Sequence, residues 1–194
     1  AQGSLCVPSG TGTLAHSHDT LIVEGATMTT QLQEAQASVN AIMERFSTPE
    51  KAQLTFTVAA ALSEGYKMDV DIRKHRITVD EPKGFGGTDE GPNPVELVLA
   101  ALTTCQAITY RLWATKLGIE LASVHVEADG DIDLRGLLGV DDAIRPGYSA
   151  VRLRVKLEGP ESVERYTELA DAVDVHCPVL DFTSAAIPIE RTIV

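Results

Sequence analysis

The chain has 194 residues, 28 acidic and 16 basic, for a formal net charge of -12 at pH 7. That surplus repels nucleic-acid phosphates and anionic membrane surfaces, so neither a nucleic acid nor a membrane is expected as a partner. With 44% hydrophobic residues in a length suited to one domain, one packed core is expected rather than disorder. Cys6, Cys105 and Cys177 are too few and too scattered for a disulfide scaffold, and no CxxC metal pair occurs, which favours a reduced, cytoplasmic setting. No basic flank and apolar run near the N-terminus suggests a secretory leader. The most apolar stretch, 95–114, is interrupted by Glu96, Gln106 and Arg111, so a buried helix is expected there and not a membrane span.

In chain order, residues 1–27 mix Gly, Ser, Thr, Pro and His without a period and are expected to be a flexible arm or an expression remnant ahead of Met28. His16 and His18 lack a third ligand nearby and are expected to be solvated. Residues 28–50 form an N-terminal amphipathic segment, because Leu32, Ala35, Val39, Ile42, Met43 and Phe46 recur at steps of three and four. Its helix is expected to stop ahead of Pro49.

The main domain, 51–194, begins with three alternating segments: Leu54 to Leu62; Met68, Val70 and Ile72; and Ile77 with Val79. Ser63-Glu64-Gly65 and Lys74-His75 are the expected turns, with Lys67, Asp69, Asp71 and Arg73 on the opposite face of the second strand. After a Gly/Pro-rich loop, Asn93 as N-cap, Pro94 at the first helical position and Glu96 completing a capping box predict a long helix to Leu117, with Gly118 past its end. Strands are expected over 124–128 and 151–157, a helix over 160–175, Cys177 at or just beyond that helix's end, and a last strand over 187–194. Tyr110 and Trp113 are expected in the core, Asp89 and Glu90 in solvent, and His176 need not face its neighbour Cys177. This order lacks the strict alternation of a parallel sheet, so the class is α+β with an antiparallel sheet.

The stretch GGTDEGPNPVELVLAALTTCQAITYRLWATKLG, with Cys105 eleven residues after Pro94 and a later His176-Cys177-Pro178-Val179, resembles the OsmC/Ohr family of thiol-dependent peroxidases. The resemblance spans about residues 53 to 194. It implies an OsmC-like fold, an antiparallel sheet with long central helices in an intertwined homodimer. It also implies a two-cysteine cycle on a small organic hydroperoxide: Cys105 attacks as thiolate, Cys177 resolves the sulfenic acid, and a dithiol or lipoyl-protein reductant reduces the disulfide. No bound metal or nucleotide cofactor is implied.

The family activates its thiol with an arginine on an early hairpin, paired to a glutamate directly after the helix-start proline. Here Val95 follows Pro94, the acid stands at Glu96, and the turn at 63–65 holds no arginine. Arg73 is then the expected cation, with Arg76 second and Arg152 and Arg154 behind it. Glu96 lies nine residues before Cys105, about 180° around the helix, so it reaches a thiol only across a subunit interface. A dimeric binding module of the same fold, with weak or no peroxidase activity, is the alternative.

Overall fold

The computed structural model describes residues 33–193; the arm over 1–27, with Cys6, His16 and His18, lies outside them. Helix α1 covers residues 33–45. The chain then turns through 46–48, and Pro49 at the first helical position starts the single turn α2, Pro49–Ala52. Of the apolar stripe on α1, Val39 is buried while Ile42 and Met43 are exposed, so this part of the face lacks a cover among the described residues.

Strands β1 (Val58–Glu64), β2 (Lys67–Ile72) and β3 (His75–Val79) form one antiparallel sheet in that order. Strand β1 starts four residues later than its alternation suggests. A hairpin strand extends only as far as its partner, and Val58 already stands opposite Ile72, the end of β2. The tight turns likewise fall at residues 65–66 and 73–74. Gly65, at φ 55, meets the first, and Arg73 takes a left-handed φ of 57 in the second. Arg73 is therefore a turn residue and not a strand residue.

The loop that leads to the long helix is tied to Asp80. This carboxylate is 1% exposed and accepts hydrogen bonds from the backbone N–H of Glu81 (2.8 Å), Thr88 (3.0 Å) and Glu90 (3.2 Å) and from the Thr88 hydroxyl (2.6 Å). These donors hold its pKa down at about 2. Helix α3, Pro94–Leu117, then begins and ends as its sequence predicts. Asn93 Oδ1 accepts from Glu96 N (2.8 Å), Glu96 Oε2 accepts from Asn93 N (2.9 Å), and Gly118 adopts φ 64 at the C-terminal cap.

A second antiparallel sheet pairs β4 (Ser123–Ile132) with β5 (Tyr148–Glu158), and the short α4, Leu134–Leu137, lies in their connection. Helix α5, Val163–His176, starts at the Ser162 cap, and α6, Pro178–Ser184, follows at once. The core joins Tyr110 and Ala114 of α3, Ile119 and Leu121 after it, and Leu169 and Val173 of α5. Helix α3 packs on β4, α5 and α6, whereas the first sheet has its main contacts among its own strands.

The expected last strand does not form over residues 187–193. Ile187, Ile189 and Ile193 keep the alternating pattern but are exposed; a strand needs a neighbouring edge to bond to, and the segment is paired with no strand among the described residues. The class is α+β with antiparallel sheets, as the element order implies. Among the described residues no helix is long and apolar enough to cross a membrane.

Candidate thiol site

Cys105 sits midway along α3, half-buried, and Cys177 is buried at 1% exposure. The junction that carries Cys177 is dictated by Pro178. Proline lacks an N–H and disfavours helix in the preceding residue, yet suits the first position of a new helix. Cys177 accordingly takes φ -83, ψ 110, donating its N–H to Val173 O at 2.9 Å as the end of α5 and serving as N-cap of α6.

This sharp turn does two things at Cys105. It sets the Cys177 side chain near enough to the Cys105 thiol to influence its titration, and it does the same with the backbone N–H of Val179. Burial pushes the Cys105 pKa up and is the largest influence; the Val179 N–H and the Thr109 hydroxyl oppose it, while Cys177 adds to the rise. A free thiol already titrates near 8.5, so within one subunit Cys105 is a protonated thiol at neutral pH. The Val179 donor was not legible because α6 was not expected; the one signal for it was a proline placed where a helix begins.

Among the described residues no arginine is one of the main influences on the Cys105 thiol. Arg73 is exposed in its turn and makes no ion pair among the described residues. Arg76 is committed to Asp71 through two bonds of 2.7 and 3.0 Å. Arg152 is bound to Asp131 at 2.5 and 2.9 Å, and Arg154 to Glu127 and Asp129. Glu96 caps its own helix, on the side of α3 away from the thiol.

His176 turns away from Cys177: its Nδ1 lies 2.8 Å from Ala172 O and its ring stacks 4.0 Å from that of Trp113. Tyr110 is a core residue whose hydroxyl is pushed up to about 12, chiefly by burial. Asp89 is exposed with a left-handed φ of 65, and Glu90 pairs with Lys67 at 2.6 Å. Among the described residues no cluster of side chains is arranged to hold a metal.

A cavity of about 470 Å³ lies between α3, β5 and α6, walled by Val98, Leu102, Leu153, Leu180 and Phe182 together with the polar Ser149, Thr183 and Ser184, and reached by Arg145. Val98 and Leu102 stand on the same face of α3 as Cys105, and Leu180 is one turn beyond Cys177. The cavity and the thiols share α3, and α6 follows directly on Cys177, but neither cysteine lines the cavity.

The model of the OsmC-like protein family matches residues 87–192, more than half of the chain, and the chain belongs to that family. No curated protein matches it. Among solved structures, an OsmC-like protein from Mycoplasma pneumoniae aligns at 22% identity and TM-score 0.60, over 68% of this chain and 89% of that one. An organic hydroperoxide resistance protein from Legionella pneumophila aligns at 22% identity and TM-score 0.52, over 68% and 90% of the two chains. One of the same description from Elizabethkingia anophelis gives the same identity, score and coverage. At these identities the likeness shows the fold.

Proposed function

We propose that this protein is a thiol-dependent peroxidase of organic hydroperoxides. The observation that carries the reading is the α5–α6 junction, which sets Cys177 and the Val179 N–H close enough to Cys105 to influence its thiol. The Cys105 thiolate attacks the distal oxygen of ROOH; the O–O bond breaks, RO⁻ leaves and takes a proton as ROH, and Cys105 becomes a sulfenic acid. Cys177 then attacks that sulfur, forming the disulfide and releasing water. An external dithiol, of lipoyl type or on a lipoyl protein, restores both thiols and is itself oxidised to a disulfide. The cycle needs no bound cofactor, and the reduced state fits a cytoplasmic setting.

The cation that makes Cys105 a thiolate comes, in this reading, from a second copy. Every residue of β1 is exposed, Phe56 ahead of it is 82% exposed, and Ile189 in the tail is 85% exposed. These are faces that an intertwined homodimer would cover, since obligate dimer interfaces resemble a core cut in half. Arg73, free of ion pairs at a hairpin tip, is the residue we assign to the partner's thiol. Glu96 remains in the helix cap.

The upward push on the Cys105 pKa favours a second reading, a dimeric binding module with weak or no peroxidase activity. Reduction of an alkyl hydroperoxide with dihydrolipoamide separates the two. Turnover lost in Cys105→Ser, and reduced at least tenfold in Arg73→Ala without change in oligomeric state, supports the peroxidase. Absence of turnover in the native chain sinks it.

A further inference from the structure

We infer that Thr109 is a positioning residue for the Cys105 thiolate: its buried hydroxyl, held on the Cys105 carbonyl while the sulfur is protonated, turns to donate to the sulfur once it ionises. Its part in turnover rests on the peroxidase reading, but the donor to the thiolate stands independently of it.

Thr109 is 5% exposed on α3, one turn beyond Cys105, and residues four apart on a helix stand about 5–6 Å apart at Cβ. One further atom on each side chain spans that gap. The Thr109 hydroxyl donates to Cys105 O at 2.8 Å, which turns Oγ1 back along the helix towards Cys105. Thr104 and Thr115 make the same kind of bond, to Ala100 O and Arg111 O. Thr109 differs in the residue it reaches, which carries a thiol.

A hydroxyl has one proton to donate, and here its present bond is dispensable. In an α-helix the Cys105 carbonyl already accepts the backbone N–H of Thr109, so turning the O–H towards sulfur leaves no acceptor empty. The proton stays on the hydroxyl and no covalent bond changes. Hydrogen bonds to an ionised acceptor are roughly twice as strong as those between neutral groups, so ionisation of the sulfur itself draws the hydroxyl over. A protonated thiol is a weak acceptor. The hydroxyl therefore returns to the carbonyl when the sulfur loses its charge, as it does in a sulfenic acid or a disulfide.

The surroundings leave this task to neutral donors. Burial is the largest influence on the Cys105 thiol and raises its pKa; Cys177, the titratable group among the main influences, raises it too, and Thr109 is among the groups that lower it. On α3 itself, Glu96 caps the first turn and Arg111 donates to Leu121 O. From α5, Asp171 and Asp174 act on Tyr110, after burial, and His176 lies against Trp113. Asp181 of α6 is exposed. Arg152, Arg154 and Lys156 of β5 pair with carboxylates of β4 and β5.

The rate at which iodoacetamide alkylates Cys105, followed against pH in a Cys6→Ser, Cys177→Ala background, reads the thiolate without any hydroperoxide. Thr109→Val keeps the shape and removes the hydroxyl. It is expected to slow alkylation about tenfold at neutral pH, the loss of one hydrogen bond to a charged group, and to move the profile to higher pH. The rates are expected to converge within about twofold once the thiol is fully ionised. Thr109→Ser is expected to restore the native profile. Thr109→Ala is expected to match Thr109→Val and decides the matter if the valine variant does not fold. A native profile in either variant lacking the hydroxyl, equal slowing in Thr109→Ser, or slowing by the same factor at every pH overturns the proposal. A shifted profile in a protein that reduces no hydroperoxide would keep the donor and discard the peroxidase.

Discussion

Glu96 is where a helix cap and a catalytic acid make different demands on one side chain, and two substitutions separate them. Its carboxylate accepts the Asn93 N–H at 2.9 Å, one half of the reciprocal pair that closes the first turn of α3. Glu96→Ala removes that bond and the first-turn charge. Loss of a cap costs ~1 kcal/mol, and loss of a favourable charge at a helix start costs ~0.3–1 kcal/mol. At roughly 2–4 °C per kcal/mol for a chain of this size, the melting temperature is expected to fall by ~3–8 °C. Glu96→Gln keeps an acceptor that reaches the same N–H and forfeits only the charge contribution, so a fall of ~1–4 °C is expected. Differential scanning calorimetry measures both, and hydroperoxide kcat/KM is read well below each transition. If Glu96 acts through the cap alone, Glu96→Gln retains kcat/KM within about twofold. A loss of tenfold or more in Glu96→Gln at an almost unchanged melting temperature refutes this reasoning and places the carboxylate at a thiol of the partner subunit.

Three further outcomes follow from the same geometry. In a Cys6→Ser background, Cys177→Ala is expected to lower the Cys105 pKa, because the Cys177 side chain raises it through both a hydrogen bond and charge; far-UV thiolate absorbance against pH reads the shift, and an unchanged or higher pKa contradicts that influence. Asp80 has a folded pKa depressed to about 2, so its stabilisation is present above its unfolded value of about 3.9 and is lost as pH falls through the folded one. Asp80→Asn should be less stable than the native chain at pH 7, with the difference narrowing from about pH 4 to about pH 2; urea midpoints across that window measure it, and a constant difference would tell against the carboxylate. Leu169 is 0% exposed at the α3–α5 contact, so Leu169→Ala is expected to cost about 2–5 kcal/mol in denaturant unfolding; a cost under 1 kcal/mol would mean that this cluster is not the core.

Local chemistry made part of this protein readable from its residues alone. Asn93, Pro94, Glu96 and Gly118 mark the ends of α3 because capping groups act within four residues of themselves. Alternation located β2, β3, β4 and β5 for the same reason, and the spacing of Cys105 and Cys177 around two helix boundaries pointed to the family. Tertiary structure decided what depends on separation in sequence. Strand β1 takes its start from the length of β2, and the alternating tail, whose pattern asks for a strand, pairs with no strand among the described residues. Arg73 left the strand pattern because the hairpin required a left-handed residue there. The approach of Cys177 and Val179 to Cys105, and the cavity shared by α3, β5 and α6, each join segments dozens of residues apart. No local propensity encodes them, since they exist only once α3, β5 and α6 have packed.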